Sequence, residues 1–382
     1  MTIPWTELFG PRSFLLSVCD DIRRGACVVV ALPRLHPRGF APALERFLYR
    51  HTSLTVAAVR QDQSAPPVDA LYRACRLPRP DGAVNARTLA ECEAFQGCVA
   101  FVDVCDDPDP EPWLAVAARY ADLVRNRAEG ACGQLCVVVY EERGELPSEG
   151  PALRVRRWRD VVSGLDVRTL VRGTWAESAA GPSGLHEHLR EALIAELAGG
   201  DLELAVLLHD RDTVDLLSPH GHLRDYAARA AWSLDDPPRL EHGSAHLVDG
   251  HLRAHVARLA MDDQRARELQ RHLWRAGVQV LLPYIEDERW AAVMRWRPHL
   301  EASLRRAPLR TATGHVITSP DELEVAHLVE RLRGGDGAEE ACRWLRLLAD
   351  IRNDLAHLRP ATTERVLQLL DLAPVASLMG RR

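Results

Sequence analysis

The stretch Cys98-Val99-Ala100-Phe101-Val102-Asp103 is the most informative segment for the fold of the first part of this 382-residue chain. It is an apolar run that ends in an acidic residue, as a buried β-strand does when its end reaches the edge of a sheet. Helical stretches alternate with such runs, notably at residues 39–49 and 112–126. Short apolar strands separated by helices are typical of a doubly wound, mainly parallel sheet. We therefore predict an α/β domain over residues 1–178, with strands at 27–32, 54–59, 98–104 and 135–140.

The run that ends at Asp103 resembles the Walker B strand of P-loop NTPases. The phosphate loop expected after the first strand is missing, because Pro33-Arg34-Leu35-His36-Pro37-Arg38-Gly39-Phe40 has one glycine, two prolines and no Gly-Lys-Ser/Thr. A glycine-rich turn whose amides wrap a phosphate cannot be made from that string. The domain therefore resembles a degenerate P-loop NTPase-like fold, with no cofactor and no ATPase activity expected. An unrelated α/β fold, in which Asp103 is only a polar strand end, is the alternative.

Composition excludes several classes of protein. All 48 basic residues are arginine, so Schiff-base chemistry and a lysine general base are impossible. No apolar run approaches the roughly 18 residues that a membrane-spanning helix needs. The N-terminus lacks a basic segment followed by an apolar stretch, and the nine cysteines are an odd number in mostly apolar contexts. These features predict a cytoplasmic protein with reduced thiols and no membrane partner.

Two composition shifts divide the rest of the chain. The polar segment 177–184 is followed by a helical pattern, so residues 184–234 are predicted to form a helical subdomain or bridge. Asp235-Asp236-Pro237-Pro238 then interrupts that pattern. Residues 239–382 are predicted to be all helical, with main helices at 251–261, 264–281, 290–306, 321–333 and 338–357.

The last of these predicted helices carries Ile351-Arg352-Asn353-Asp354-Leu355-Ala356-His357. Asn353 and His357 are four residues apart and share one helix face, beside Arg352 and offset from a leucine-rich stripe. Histidine transfers protons near neutral pH, and arginine holds phosphate without losing its charge. Metal-free RNA cleavage requires these two abilities.

Arg352-Asn353 followed by His357 resembles the R-x4-6-H motif of HEPN domains, and the pair of helices before it is similar as well. The resemblance implies an all-helical domain that dimerises and cleaves RNA without metal. His357 would then act as general base or acid, Arg352 would stabilise the scissile phosphate, and Asn353 would orient either group. It also implies a bacterial anti-phage or toxin–antitoxin effector, with the α/β domain as its sensor or docking domain and with protein partners from the same operon.

A noncatalytic role is the alternative. In that interpretation the chain is a subunit or scaffold of a defence complex, built from a degenerate NTPase-like fold and a helical dimerisation domain. Arg352 would then pair with an acid on its own or another helix, and His357 would bond a backbone carbonyl.

Two further sets of residues are candidates for binding. Arginines near the predicted helix 290–306, together with one arginine after the HEPN-like motif, could contact RNA, although a solvated arginine face is the favoured interpretation. These candidates are Arg295, Arg297, Arg305, Arg306 and Arg359. The pairs His242/His246 and His251/His255 have the spacing of metal ligands on a helix, but exposed or structural histidines are favoured and no metal site is predicted.

Overall fold

The protein forms two compact units, which we call the α/β unit and the helical unit. The computed structural model describes residues 4–59, 65–127, 131–175, 184–248, 251–310, 314–333 and 338–376. The α/β unit comprises residues 1–173, 199–206 and 232–255, and the helical unit comprises 174–198, 207–231 and 256–382. The two units thus interleave along the chain, whereas the predicted domains 1–178, 184–234 and 239–382 are consecutive and stay a prediction. The polar segment before Gly184 lies outside the described residues.

A five-stranded parallel sheet forms the centre of the α/β unit, in the order β2-β3-β4-β1-β5. Its strands are β1 (Cys27–Leu32), β2 (Thr55–Val59), β3 (Cys98–Asp103), β4 (Gln134–Tyr140) and β5 (Leu153–Arg157). Every residue of β1 is buried, as expected for a central strand covered on both faces. The predicted parallel α/β fold is confirmed.

Helices connect these strands and cover the sheet. Tyr120 is fully buried on one of them, and its hydroxyl donates to the Gly133 carbonyl at 2.7 Å, just before β4. The helices of this part are α1 (Phe9–Arg23), α2 (Phe40–His51), α3 (Pro67–Ala74), α4 (Ala86–Glu91), α5 (Glu111–Val124) and α6 (Gly164–Trp175). Helix α8 (Leu202–His209) also belongs to this unit, up to Val206.

Residues 245–248 and 251–254 form two antiparallel strands, so the predicted helix at 251–261 is wrong over its first half. Strand β6 (Ala245–Val248) pairs antiparallel with β7 (His251–Ala254), and only Val256–Leu259 is helical. The sequence between the two strands, Asp249-Gly250, is typical of a two-residue hairpin turn, and this signal outweighs the helical spacing of the neighbouring apolar residues.

The helical unit is organised around the long helix α12 (Ala266–Arg306). Gly277 of α12 lies against Leu355, since a Cβ at this glycine would be 3.1 Å from the leucine Cδ2. The Trp274 indole N–H donates to the Leu355 carbonyl at 2.7 Å. The other elements are α7 (Gly184–Ala198), α9 (Thr213–Leu217), α10 (His220–Arg229), α11 (Val256–Leu259), β8 (Leu309–Arg310), β9 (Val316–Ile317), α13 (Val325–Leu332), α14 (Glu339–Ala356) and α15 (Thr363–Ala376).

Helix α12 replaces two predicted helices, 264–281 and 290–306. The chain stays helical through Pro283 and kinks only at Trp296, two residues before Pro298. A proline lacks the amide that bonds the preceding turn, so it usually kinks or ends a helix. Leu281 and Ile285 on either side of Pro283 are buried, so the packing of this part of the helix outweighs that loss. The predicted helical character of the C-terminal region is confirmed, and none of the described helices is both long and apolar enough to cross a membrane.

Replacement of Leu345 by alanine should lower the stability of the protein. Leu345 is completely buried on α14, so the substitution removes apolar contacts and leaves a cavity that costs about 2–5 kcal/mol. Urea unfolding followed by circular dichroism measures the loss. The exposed neighbour Arg346 is the matched control, and Arg346→Ala should change stability by no more than about 0.5 kcal/mol. Equal effects of both variants would contradict the assigned helix face.

Candidate functional site at the carboxyl ends of the strands

The carboxyl ends of β1, β4 and β5 meet at one edge of the parallel sheet. The amide of Glu141 donates to the Leu32 carbonyl, and the amide of Trp158 donates to the Ala31 carbonyl, both at 2.9 Å. Ligands of open α/β sheets bind outside this edge. It is therefore the first place to search for a functional site in the α/β unit.

The loop between β1 and α2 does not offer a row of free amides to a phosphate. Pro33 and Pro37 have no N–H, and the Arg34 amide donates to the Glu241 carbonyl at 2.8 Å. Gly39 adopts a left-handed conformation (φ 72°) directly before α2 and carries the turn into the helix. The loop therefore lacks the amide-lined concavity that holds phosphate groups in P-loop proteins.

Six aromatic rings fill the space at this edge, and we call them the aromatic cluster: Trp5, Phe14, His36, Phe40, Tyr140 and Trp158. Phe40 lies at their centre and is 1% exposed. Its ring stacks on Trp5 at 5.8 Å and meets Trp158 edge-on at 5.0 Å. Aromatic pairs at such distances add roughly 0.5–1.5 kcal/mol each beyond the area that they bury.

His36 extends the aromatic cluster toward the end of β4. Its ring lies 6.2 Å from that of Phe40 and 5.5 Å from that of Tyr140, and its Nδ1 is 3.2 Å from the Pro33 carbonyl oxygen. Burial lowers the pKa of His36 and raises the pKa of Tyr140, since both charged forms lose hydration. Both side chains are thus kept neutral, which matches an apolar cluster.

Charged side chains surround the aromatic cluster in pairs. The Glu141 carboxylate, 6% exposed, accepts from Arg157 at 3.1 Å and lies 2.6 Å from a terminal nitrogen of Arg159. Glu142 lies 3.1 Å from Nε2 of His242. Glu141 is thus ion-paired with two arginines, and the contact between Glu142 and His242 ties the segment around residue 242 to the strand end.

Asp103, the residue that resembles the Walker B acid, is exposed at the end of β3. Its carboxylate accepts from the Cys105 amide at 3.1 Å, an Asx-type turn that shapes the loop after the strand. The side chain therefore has a local structural contact. Among the described residues, no group of three or more His, Cys, Asp and Glu side chains is arranged to hold a metal ion.

The HEPN-like motif lies in the helical unit, at the end of α14. The Arg352 guanidinium donates to a carboxylate oxygen of Glu324 at 3.1 Å. Asn353 is exposed, and His357 follows the last helical residue as an exposed C-cap. The three residues are close in sequence, but a carboxylate binds Arg352, and His357 is exposed at the helix end. None of these three residues lines the cavity of about 290 Å³ between α7, α12 and the start of α15.

The five candidate RNA-binding arginines do not share one basic face. Arg295 covers the Trp296 ring at 4.9 Å, whereas Arg297 binds Asp321 and lies 4.0 Å from Glu301. Arg305 also lies 4.0 Å from Glu301, and Arg306 and Arg359 are exposed at other places. Carboxylates therefore offset part of the charge, and RNA binding by these residues stays a prediction.

Comparisons with known proteins show distant likeness to solved structures. No protein-family model and no curated protein sequence matches the chain. Cdc6p from Pyrobaculum aerophilum matches with a TM-score of 0.32 and 12% identity over 96% of this chain and 85% of that one. ORC2 from Aeropyrum pernix matches with a TM-score of 0.28 and 12% identity, over 96% of this chain and 84% of that one. RuvB from Thermotoga maritima matches with a TM-score of 0.27 and 12% identity, over 80% of this chain and 89% of that one. These low TM-scores assign neither a fold family nor a role to the chain.

The prediction of a HEPN endoribonuclease is wrong. The solved structures that match are Cdc6p, ORC2 and RuvB proteins, and none of these three is a HEPN protein. The motif itself also differs from the expected cleft, because Glu324 binds Arg352 while Asn353 and His357 are exposed at a helix end. The anti-phage or toxin–antitoxin setting came with this resemblance and is withdrawn with it. The α/β unit, by contrast, has the parallel sheet that the strand pattern predicts.

The sequence alone does not predict the aromatic cluster. Its members Trp5, Phe14 and Trp158 are far apart in the sequence, and β5, which places Trp158, was not predicted. The signal for β5 was the alternation of Leu153 and Val155 with three arginines, typical of a strand with one solvated face. A tryptophan directly after such a strand was the only local sign of the cluster.

Phe40→Ala should destabilise the protein strongly. The substitution removes the central ring of the aromatic cluster, and large-to-small changes of buried phenylalanine cost about 3–5 kcal/mol. Tyr49→Ala on the same helix is the matched control, because Tyr49 is 75% exposed and should tolerate replacement within about 0.5 kcal/mol. Urea unfolding distinguishes the two variants. A loss below about 1 kcal/mol for Phe40→Ala would show that the rings do not pack as described.

Stability should also depend on the protonation of His36. Its pKa is lower in the folded protein than the usual 6.5, so the unfolded chain binds the proton more tightly. The resulting stability is present above about pH 6.5 and is lost as the pH falls toward the folded-state pKa. Wild-type protein should therefore lose more stability between about pH 7.5 and about pH 5.5 than His36→Asn does. Equal losses in urea titrations of both proteins would refute this linkage.

Proposed function

We propose that this chain is a noncatalytic assembly subunit, in which a P-loop NTPase-like fold serves as a protein scaffold. The observation that carries the proposal is the aromatic cluster centred on Phe40, which fills the sheet edge where related folds bind nucleotide phosphates. A phosphate group needs donors and water at that position. The cluster offers buried carbon and two neutral polar rings instead.

The chemistry of the surrounding residues supports the same conclusion. Hydrolysis of a nucleoside triphosphate relies on hydrogen-bond donors and cations, which hold the phosphates and stabilise the negative charge that develops in the transition state. Here the Arg34 amide is bonded to the Glu241 carbonyl, and Arg157 and Arg159 are bonded to Glu141. Each donor already has an internal acceptor, so phosphate binding would have to break existing contacts. These bonds instead make the strand ends rigid, which suits a scaffold.

A cytoplasmic setting and association with other protein chains complete the proposal. All nine cysteines are free thiols and six of them are buried, so the fold does not depend on the disulfides that an oxidising compartment would supply. The helical unit supplies the surface for association, either with partners encoded nearby or with a second copy of the chain.

The protein should not bind adenine nucleotides. Isothermal titration with Mg-ATP and with ADP should show no saturable binding up to about 1 mM, which corresponds to a binding free energy weaker than about −4 kcal/mol. Phosphate release should equal that of the Asp103→Asn variant, which controls for contaminating ATPases. Saturable binding in the micromolar range, or hydrolysis that Asp103→Asn abolishes, would overturn the noncatalytic proposal.

A further inference from the structure

One face of α12 carries exposed apolar side chains that the helical unit does not cover. Trp290 is 48% exposed and Met294 is 54% exposed, and they lie one helix turn apart. Asp287 precedes them on the same face, and Arg297 follows. We call Asp287, Trp290, Met294 and Arg297 the α12 strip.

The kink at Trp296 does not remove Arg297 from the strip. A terminal nitrogen of its guanidinium lies 3.8 Å from the Met294 sulfur, so the two side chains are in contact. Arg297 also binds Asp321 of the same chain, which fixes the position of the guanidinium beside Met294. The strip is therefore a defined surface with an acid at one end, two large apolar side chains in the middle and a base at the other end.

Tryptophan, methionine and arginine are enriched in the cores of protein interfaces, and tryptophan and arginine dominate their binding energy. Contiguous exposed apolar side chains such as Trp290 and Met294 are typical of surfaces that bind another protein. The composition of the strip thus favours a protein partner. Its order of charges identifies which partner fits.

The strip is complementary to itself when two copies run antiparallel. The midpoint between Trp290 and Met294 is residue 292, and Asp287 and Arg297 are equally distant from that midpoint. An antiparallel pair of α12 helices therefore places Trp290 against the partner's Met294 and Asp287 against the partner's Arg297. A two-fold axis makes each of these contacts twice, as in isologous dimers. Sulfur–aromatic contacts and opposite charges are both favourable.

We propose that the α12 strip is the interface through which two copies of this chain form an antiparallel, two-fold symmetric dimer. The inference rests on the proposed function, since it names a second copy as the partner of the assembly subunit. It can fail on its own, because nucleotide binding and dimer formation are measured separately.

Sedimentation velocity on the full chain tests the interface. Wild-type protein at about 100 µM should sediment as a dimer, with twice the 42.6 kDa mass of the chain. Trp290→Glu and Met294→Glu should each raise the dimer dissociation constant by about 30-fold or more, as expected for central interface positions. Val214→Glu is the matched control, because Val214 is a 49% exposed apolar residue elsewhere in the helical unit and should leave the dimer unchanged.

Charge reversal tests the antiparallel register. Asp287→Arg alone and Arg297→Asp alone should each weaken self-association, because like charges would face each other at both ends. A mixture of the two variants should form a heterodimer, because each reversed residue then meets an opposite charge. Circular dichroism and melting temperatures within about 2 °C of wild type show that the variants are folded.

The outcomes separate clearly. Loss of the dimer in the strip variants and its recovery in the mixture support the proposal. A monomeric wild-type chain, a dimer that Trp290→Glu leaves intact, or a mixture that fails to recover would each overturn the interface. None of these results alters the nucleotide test, so the scaffold proposal stands or falls on that separate measurement.

Discussion

The contact between Phe40 and Trp158 closes the edge of the sheet at the carboxyl ends of β1 and β5. Phe40 begins the helix after β1, and Trp158 follows β5, so their rings close the ends of two adjacent strands. Trp5 and Phe14 reach this contact from the N-terminal segment. The same parallel sheet that elsewhere presents backbone amides to a ligand here presents buried carbon. At this edge the packed rings fill the space at the strand ends that a ligand would need.

Much of the α/β unit could be predicted because its buried strands are continuous apolar runs. β1 was located to the residue and β3 and β4 within one residue at either end, since burial on both faces leaves few polar residues in these strands. β5 was missed because it is short and half solvated. The hairpin at 245–254 was mistaken for a helix, and α12 was divided at Pro283, because local spacing and proline do not report the tertiary packing that overrides them.

The HEPN-like motif shows a second limit of local patterns. The spacing of Arg352, Asn353 and His357 was read correctly as one end of a helix, and the burial of Ile351 and Leu355 followed as expected. The acid that matches Arg352 lies on an element 28 residues earlier. A short motif shows which side chains are near each other in the sequence. It does not show whether a residue from a distant part of the chain already binds one of them. The chemistry of an arginine depends on that distant partner.

The interleaving of the two units has a consequence for how the protein is made and inherited. The α/β unit needs residues 199–206 and 232–255 in addition to its first 173 residues. During synthesis it therefore lacks its final hairpin until residue 255 has left the ribosome, whereas domains made of one continuous segment can fold as they emerge. In addition, no single break in the gene separates a complete unit. A single recombination event can exchange a domain that is one continuous segment. In this chain such an event would separate parts of the same unit, so we expect the two units to be inherited together.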